Sequence, residues 1–250
     1  MLIAMAPLTL TMAACGDEGS GEREPTTGIA QSNEATVSGS PSPGASVNPE
    51  DFVDRVDNPY LPLKPGARWR YEGTTDQGKE VTVVEVTDRE KEILGVHITV
   101  VRDTVSLDGE VIEDTFDWFA QDRAGNVWYF GEDTKEFKNG KVVSTEGAWE
   151  AGKKGAKPGI IMLADPEEGA RYQQEDAPDV AEDRAEVISL NETVDVPTGA
   201  YDHVLETRET TPLEPDTEEH KFYSRGVGVV LEQQTKGGSE RHELVSVEGL

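Results

Sequence analysis

Large apolar residues alternate with polar ones along much of the chain, which is the pattern of strands that bury one face. The clearest example is Ala67-Arg68-Trp69-Arg70-Tyr71-Glu72, where rings alternate with charged groups. Residues 81–86 and 96–105 are rich in valine, isoleucine and threonine, which favour strands. These segments predict a sheet with one buried face.

Turn signals divide the rest of the chain into further short strands. Asp108-Gly109 and Asn139-Gly140 are typical of tight hairpins, and residues 122–126 predict another turn. The remaining predicted strands are 111–120, 127–130, 171–175, 185–190, 193–196, 203–210, 219–224, 228–233 and 240–247. Helical crossovers are missing from this pattern, so the strands are expected to pair as an antiparallel meander.

Two segments interrupt the strand pattern. Near residue 48 we expect a short helix, with Asn48 as its cap, Pro49 in its first turn and Phe52, Val53 and Val56 on its buried side. Residues 147–166 are rich in glycine and predict one long loop, packed on the sheet by the apolar run 160–163 and suited to a lid or a domain seam. The predicted fold class is therefore all-β with a minor helix: an antiparallel curved sheet or half-barrel meander.

The N-terminus carries the only cysteine of the chain. Cys15 follows an apolar run and the small residues Ala13 and Ala14, and this arrangement resembles the lipobox of bacterial lipoproteins, although no Lys or Arg opens the run. The resemblance implies a signal peptide over 1–14 and a diacylated Cys15. The alternative is a chance cysteine in a cytosolic protein.

The segment after Cys15 differs sharply in composition from the rest of the chain. Up to about residue 49 it is made of Gly, Ser, Pro, Thr and Glu, which cannot bury enough apolar surface to fold. We therefore predict a lipidated cysteine with a disordered linker over 15–49 and a single antiparallel β domain over 50–250.

Charge limits the partners that the protein can have. The 250 residues include 50 acidic and 23 basic ones, giving a formal net charge of −27. Such a surface repels the phosphates of nucleic acids and anionic lipid headgroups. Membrane attachment is therefore expected through N-terminal acyl chains, two of which anchor stably.

Three blocks of the sequence resemble a group of secreted or lipid-anchored bacterial proteins of unknown function. They are residues 58–73, beginning Asn58-Pro59-Tyr60-Leu61-Pro62, residues 117–122 with 125–132, and residues 211–215 with 221–223 and 226–230. The resemblance covers about 58–247 and implies no catalytic residue. The general plan is also similar to periplasmic half-barrel carriers of the lipoprotein-localisation type.

Aromatic residues on neighbouring strands are the main candidates for ligand contact. Trp69, Trp118, Trp128 and Tyr129 could line a hydrophobic concavity that accepts an apolar or lipid-like ligand. The alternative is an ordinary β core.

No motif for catalysis, metal binding or a cofactor is recognisable. Carboxylates cluster near the aromatic strands, but their spacing matches no EF-hand, and Asp122 with Asn126 is expected to shape a turn. No pair of histidines has the spacing of a metal site. The clustered acids are Asp114, Asp117, Asp122, Glu132, Asp133 and Glu136, and the histidines are His97, His203, His220 and His242.

The sequence thus predicts a lipid-anchored lipoprotein outside the plasma membrane, with a non-enzymatic binding or carrier domain. One alternative is a structural or interaction protein of the cell envelope that has no small-molecule site. A more remote one is a hydrolase that uses the clustered carboxylates. The sequence predicts no oligomeric state.

Overall fold

The computed structural model describes residues 47–75 and 77–250. Cys15, the predicted signal peptide and the predicted linker up to residue 46 lie outside these ranges. One 3-10 helix, Pro49–Asp51, is the single helical element in the described part of the chain. Within that part, no helix has the length and apolar character needed to span a membrane.

Strands make up most of the described chain, as the sequence predicted. In order they are β1 (Phe52–Val53), β2 (Asp57–Asn58), β3 (Leu61–Pro62), β4 (Arg68–Thr75), β5 (Gly78–Ile93), β6 (Val96–Leu107), β7 (Glu110–Asp122), β8 (Val127–Lys138), β9 (Lys141–Ser144), β10 (Trp149–Glu150), β11 (Lys157–Met162), β12 (Arg171–Gln173), β13 (Glu175–Asp176), β14 (Arg184–Val196), β15 (Gly199–Thr210), β16 (Glu218–Ser224), β17 (Gly228–Lys236) and β18 (Arg241–Glu248).

Sixteen of these strands form one large sheet, and β2 pairs with β3 in a small separate one. The order of the large sheet is β12-β14-β15-β16-β17-β18-β4-β5-β6-β7-β8-β11-β13, with β1 added to β7 and with β9 and β10 added to β8. The observed strand pairs are antiparallel, so the all-β antiparallel prediction is confirmed.

The strands at the two ends of the large sheet, β12 and β13, are neighbours along the chain. Strand β12 pairs with β14, while β13 pairs with β11, and only Gln174 separates β12 from β13. The contact is close, because a Cβ atom on Gly159 of β11 would overlap the carbonyl oxygen of Gln174. The sheet therefore nearly closes on itself, and its inner face is largely shielded from water.

Both predicted hairpin turns are present. Asp108 and Gly109 have φ values of 50° and 88°, and Asn139 and Gly140 have 53° and 71°. Two successive positive φ values are the mark of a type I′ turn, which matches the twist of paired strands. Each turn fixes the register of the long strands on either side of it.

The buried face changes from apolar to polar along some of the long strands. On β5 the buried positions run from Glu80 and Thr82 to Val84 and Val86. On β7 the buried Asp117 precedes the buried Phe119 by two residues, so both side chains point to the same face. One part of the interior is therefore a conventional apolar core, while another holds many carboxyl groups.

The N-terminal helix differs from the prediction in length. Asn48 does act as the cap, accepting a hydrogen bond from the backbone N–H of Glu50 at 3.3 Å. The helix ends at Asp51, however, and Phe52 and Val53 form β1, paired with residues 121–122 of β7. Pairing with an existing strand outweighs the local helical signals.

Residues 147–166, predicted as one long loop, contain two strands. Trp149–Glu150 forms β10, and the apolar run that was expected to clip the loop down is part of β11. Strand β11 pairs with β8, where Gly159 lies opposite Tyr129 and Ile160 lies opposite Trp128. This segment extends the sheet instead of lying over it.

Candidate functional site

A groove lies beside β7 and β8. Its volume is about 450 Å³, within the range of roughly 300–1,000 Å³ typical of small-molecule sites. The walls come from β8, β10, the turn after β10 and the bend after β13. Its lining residues are Lys91, Trp118, Glu132, Asp133, Ala148, Trp149, Glu150, Lys153, Lys154, Ala156, Ala177, Pro178 and Val180.

Only one of the four predicted ligand-binding residues lines this groove. Trp118 does so, although it is only 8% exposed, whereas Trp69 and Tyr129 are buried away from the groove and Trp128 is half-buried outside it. Trp69 is held by a hydrogen bond from its Nε1 to the carbonyl oxygen of Val227 at 2.6 Å. The four predicted rings therefore do not share this groove.

Trp128 has a structural role beside the predicted turn. Its Nε1 donates a hydrogen bond to Asp122 Oδ2 at 2.9 Å, and the backbone N–H of Asn126 donates to Asp122 Oδ1 at 2.9 Å. Phe52 packs edge-on against the Trp128 ring, with centroids 6.0 Å apart. The prediction that Asp122 and Asn126 shape a turn is confirmed.

Two tryptophans supply the aromatic part of the groove. Trp118 points to the outer face of β7, and Trp149 is brought close to β8 by β10. That approach requires a glycine, because Gly131 has a φ of 122° and a Cβ atom there would overlap the carbonyl oxygen of Trp149. The Trp149 ring packs edge-on against Tyr129, with centroids 5.7 Å apart.

Trp149 was not predicted as a site residue. In the sequence it is a lone ring within a glycine-rich stretch that we predicted to be a loop. The pairing of Trp149 with Glu132 on β8, which places it in the groove, is a long-range feature of the fold. The only local signal was the ring itself among small residues.

Lysines surround the aromatic surface. Lys91 Nζ lies 3.8 Å from the centroid of the Trp118 ring, a cation–π contact. It also lies 3.1 Å from Glu150 Oε2, while Lys153 Nζ lies 2.9 Å from Glu150 Oε1. Burial would raise the pKa of Glu150, but the hydrogen bonds from Lys153 and Lys91 leave it below its ordinary value.

Beneath the groove, a tyrosine links two buried carboxyl groups. Tyr129 Oη lies 2.6 Å from Asp117 Oδ1 and 2.9 Å from Glu132 Oε2. Burial, followed by the nearby charge of Asp117, raises the pKa of Glu132 to about 8. Burial also raises the pKa of Asp117, to about 6.

The pKa of Glu132 is thus raised further than that of Asp117. Burial favours a form in which the pair keeps one proton, and the larger shift favours Glu132 as its site. This suits their shared partner, since a phenol carries one proton and can donate to only one acceptor. The shorter contact is the bond that Tyr129 donates to the charged Asp117. Glu132 then supplies the proton of the second bond.

The polar part of the interior contains one buried lysine among several acids. Lys221 Nζ lies 2.9 Å from Glu209 Oε2, 3.6 Å from Glu219 Oε2 and 3.9 Å from Glu232 Oε1. Burial would lower the pKa of Lys221, but these carboxylates, Glu209 first, raise it well above its ordinary value. Lys221 is therefore charged.

Asp103 is the least satisfied of the interior acids. Its side chain is only 2% exposed, and neither carboxyl oxygen has a hydrogen-bond partner in the described structure. Burial, followed by repulsion from Asp117, raises its pKa well above the ordinary value. Burial therefore favours the protonated form of Asp103, since a buried, unpaired carboxylate is strongly disfavoured.

The structure offers no metal centre in the part of the chain that it describes. No group of three or more His, Cys, Asp or Glu side chains in 47–75 and 77–250 is placed to hold an ion. The other clustered acids make surface ion pairs: Asp114 with Arg102 at 2.6 Å, and Asp133 with Lys135 at 2.7 Å.

Comparison with known proteins finds two solved structures of similar fold. The first is a "putative exported protein with YmcC-like fold" from Bacteroides fragilis, with 15% identity, a TM-score of 0.45, and coverage of 76% of this chain and 99% of that one. The second is a "putative lipoprotein" from Parabacteroides distasonis, with 10% identity, a TM-score of 0.41, and coverage of 76% and 98%. Scores this low transfer no function.

The comparisons with protein families and with curated proteins find no family for this chain. No protein-family model matches the chain, and no curated protein matches it. Neither of the two structures is described as a carrier of the lipoprotein-localisation type, so that architectural likeness stays a prediction.

Proposed function

We propose that this protein is a lipid-anchored binding protein that works outside the plasma membrane and holds an apolar or lipid-like ligand in the groove beside Trp118. The observation that carries the proposal is the groove itself. It combines a volume of about 450 Å³ with an apolar surface built from two indole rings, three alanines, a proline and a valine. Indole rings supply large contact areas for apolar ligands.

The N-terminal sequence supports the location. The apolar run, the small residues before Cys15 and the glycine- and serine-rich segment after it suit a protein tethered by acyl chains. Such a tether holds the folded part close to the membrane surface, where lipid-like ligands are concentrated.

A catalytic role has less support from the geometry. Asp117 and Glu132 have well-separated pKa values, as the acid and base of a hydrolase often do. Asp117 is completely buried, however, and only Glu132 reaches the groove. The other carboxyl groups of the groove, Asp133 and Glu150, are held in ion pairs with lysines, whereas glycoside hydrolysis needs an acid and a partner carboxylate that both reach the substrate.

An uncharged fluorescent probe tests the proposal. We would titrate N-phenyl-1-naphthylamine into the full chain carrying Cys15→Ser, which removes the acylation site and the need for detergent. We expect saturable binding that Val180→Glu weakens by about tenfold or more, the equivalent of 1.4 kcal/mol, because it places a charge in the apolar wall. Val180 lines the groove and is 42% exposed, so the change is compatible with folding.

Val143→Glu is the matched control. Val143 on β9 is also exposed, at 57%, but it lies outside the groove. It should leave probe binding unchanged. Absence of saturable binding, or an equal loss in both variants, would favour the envelope interaction protein that has no small-molecule site.

A further inference from the structure

The groove carries a surplus of positive charge on a strongly acidic protein. Lys91 and Lys153 share a single carboxylate, that of Glu150. Lys154 also lines the groove, and it makes no ion pair among the described residues. Two ammonium groups on one carboxylate, with a third left unpaired, leave this groove cationic in a chain of net charge −27.

The two remaining acids of the lining do not cancel this surplus. Asp133 is paired with Lys135 at 2.7 Å. Glu132 is buried against Tyr129 and Asp117, and this burial raises its pKa, which favours its neutral form. Neither carboxyl group therefore opposes an anion at the lysine side of the groove.

The backbone holds Lys154 in place at a conformational cost. Its φ is 51°, in the left-handed region that glycine adopts more easily. The turn around it is closed by two backbone hydrogen bonds, from the N–H of Ala156 to the oxygen of Lys153 and from the N–H of Gly152 to the oxygen of Ala156, each 2.9 Å. These bonds fix the backbone of Lys154 in the turn that borders the groove.

From this charge arrangement we infer that the ligand is an anionic amphiphile, whose headgroup contacts Lys154 and whose apolar chain packs on Trp118 and Trp149. The inference rests on the proposed function and adds the class of ligand. An unpaired ammonium group is the natural partner of a carboxylate or phosphate headgroup. The adjoining indole rings would contact the chain, so headgroup and tail are recognised by different walls.

Three probes with the same chain and different headgroups test the inference. Decanoate, 1-decanol and decyltrimethylammonium would be titrated below their micellar concentrations into the full chain carrying Cys15→Ser. Each binding curve would be followed by protection of tryptophan fluorescence from acrylamide. We expect decanoate to bind most tightly and decyltrimethylammonium most weakly, with about fivefold between successive probes for one exposed charge.

Two lysine variants assign the headgroup contact. Lys154→Gln should bring decanoate to the affinity of 1-decanol, and Lys154→Glu should reverse the order of the two charged probes. Lys138→Gln is the matched control, because Lys138 is an exposed lysine at the end of β8 outside the groove. It should leave the order unchanged, and decyl phosphate distinguishes a phosphate preference from a carboxylate one.

The possible results separate the two proposals. Equal binding of all three probes, lost in Val180→Glu, would overturn the charge assignment and leave the binding function standing. An anion preference that survives Lys154→Gln would overturn the role of Lys154. Binding of none of the probes, together with failure of the uncharged naphthylamine, would overturn both proposals.

Discussion

Lys221→Met is the substitution that most directly tests the acidic interior. Lys221 on β16 is 1% exposed, and its ammonium group faces the carboxyl groups of Glu209, Glu219 and Glu232 at 2.9–3.9 Å. Methionine has a similar length and no charge, so the change removes the cation while leaving little empty space. The buried acids then lose the one ammonium group that they share.

The expected loss of stability is large. Removing one partner of a buried ion pair destabilises a protein by about 3–5 kcal/mol, because the remaining charge is left buried and unpaired. Native domains are stable by only about 5–15 kcal/mol in total. The Lys221→Met variant should therefore unfold at a much lower urea concentration than the wild-type protein at pH 7.

The loss should also depend on pH. Lys221 holds the pKa of Glu209 below its ordinary value against the opposing effect of burial. The wild-type protein thus gains stability from Glu209 above the unfolded-state pKa, and this gain disappears as the pH falls through the lower folded-state pKa. Without Lys221, the fold favours the protonated form of the buried carboxyl groups. The difference in the free energy of unfolding between the wild-type and Lys221→Met proteins should therefore narrow toward pH 4.

Urea denaturation at pH 4, 5.5 and 7 measures this difference. The control is Lys236→Met, since Lys236 is exposed and lies 3.5 Å from a fully exposed Asp216. Such a surface pair contributes about 0–1 kcal/mol. The reasoning would be refuted by a Lys221→Met variant as stable as this control at pH 7, or by a gap that stays constant with pH.

Three further predictions concern the interior and the closure of the sheet. The wild-type protein should lose stability as the pH rises from about 5 to 9, because the folded-state pKa of Glu132 is raised to about 8 and the fold favours its protonated form. Glu132→Gln should reduce that loss by several kcal/mol, as measured by thermal unfolding over this pH range. Gly159→Ala should lower the free energy of unfolding by roughly 2–4 kcal/mol, because its Cβ would overlap the Gln174 carbonyl. It should also speed amide hydrogen exchange at Gln174, and unchanged exchange there would contradict the closure of the sheet. Asn58→Ala should lower the free energy of unfolding by about 2–3 kcal/mol, since the buried Asn58 amide bonds two backbone carbonyls, at 2.9 and 3.0 Å, which would be left unpaired.

The antiparallel sheet could be predicted because local signals agree with the fold over most of the chain. On β4 the alternation places Trp69 and Tyr71 on the buried face, as observed. The two type I′ turns follow directly from Asp-Gly and Asn-Gly, which tolerate positive φ. In these segments the turn residues, the alternation of apolar and polar positions and the tertiary contacts all favour the same structure.

The acidic interior could not be predicted, because alternation analysis assumes that polar residues face water. On β5 that assumption would turn Val81 and Val83 inward, but these valines are only half-buried, and Glu80 and Thr82 face the interior. The register is decided by the neighbouring strands, not by the local pattern. A buried acid is stable there only in its protonated form or beside Lys221, and no single strand carries that information.

The groove escaped prediction for a related reason. Its walls come from segments far apart in sequence, and two of them, residues 149–150 and the turn after them, lie in the stretch predicted as a loop. Gly147, Gly152 and Gly155 are strong turn signals, and they conceal the short strand between them. Of the predicted rings only Trp118 lines the groove, and Trp149 was not predicted, because only long-range pairing brings the two rings to one surface.

Glu132 connects the acidic interior with the cationic groove. Its carboxyl group lines the groove and also contacts Tyr129, whose hydroxyl reaches the ionised Asp117. Burial raises the pKa of Glu132 and so disfavours a negative charge at this part of the groove lining. In a chain of net charge −27, the packing of the interior thus supports the cationic surplus that Lys91, Lys153 and Lys154 bring to the groove. The charge of the groove is therefore a consequence of how the interior is packed, and not of its surface lysines alone.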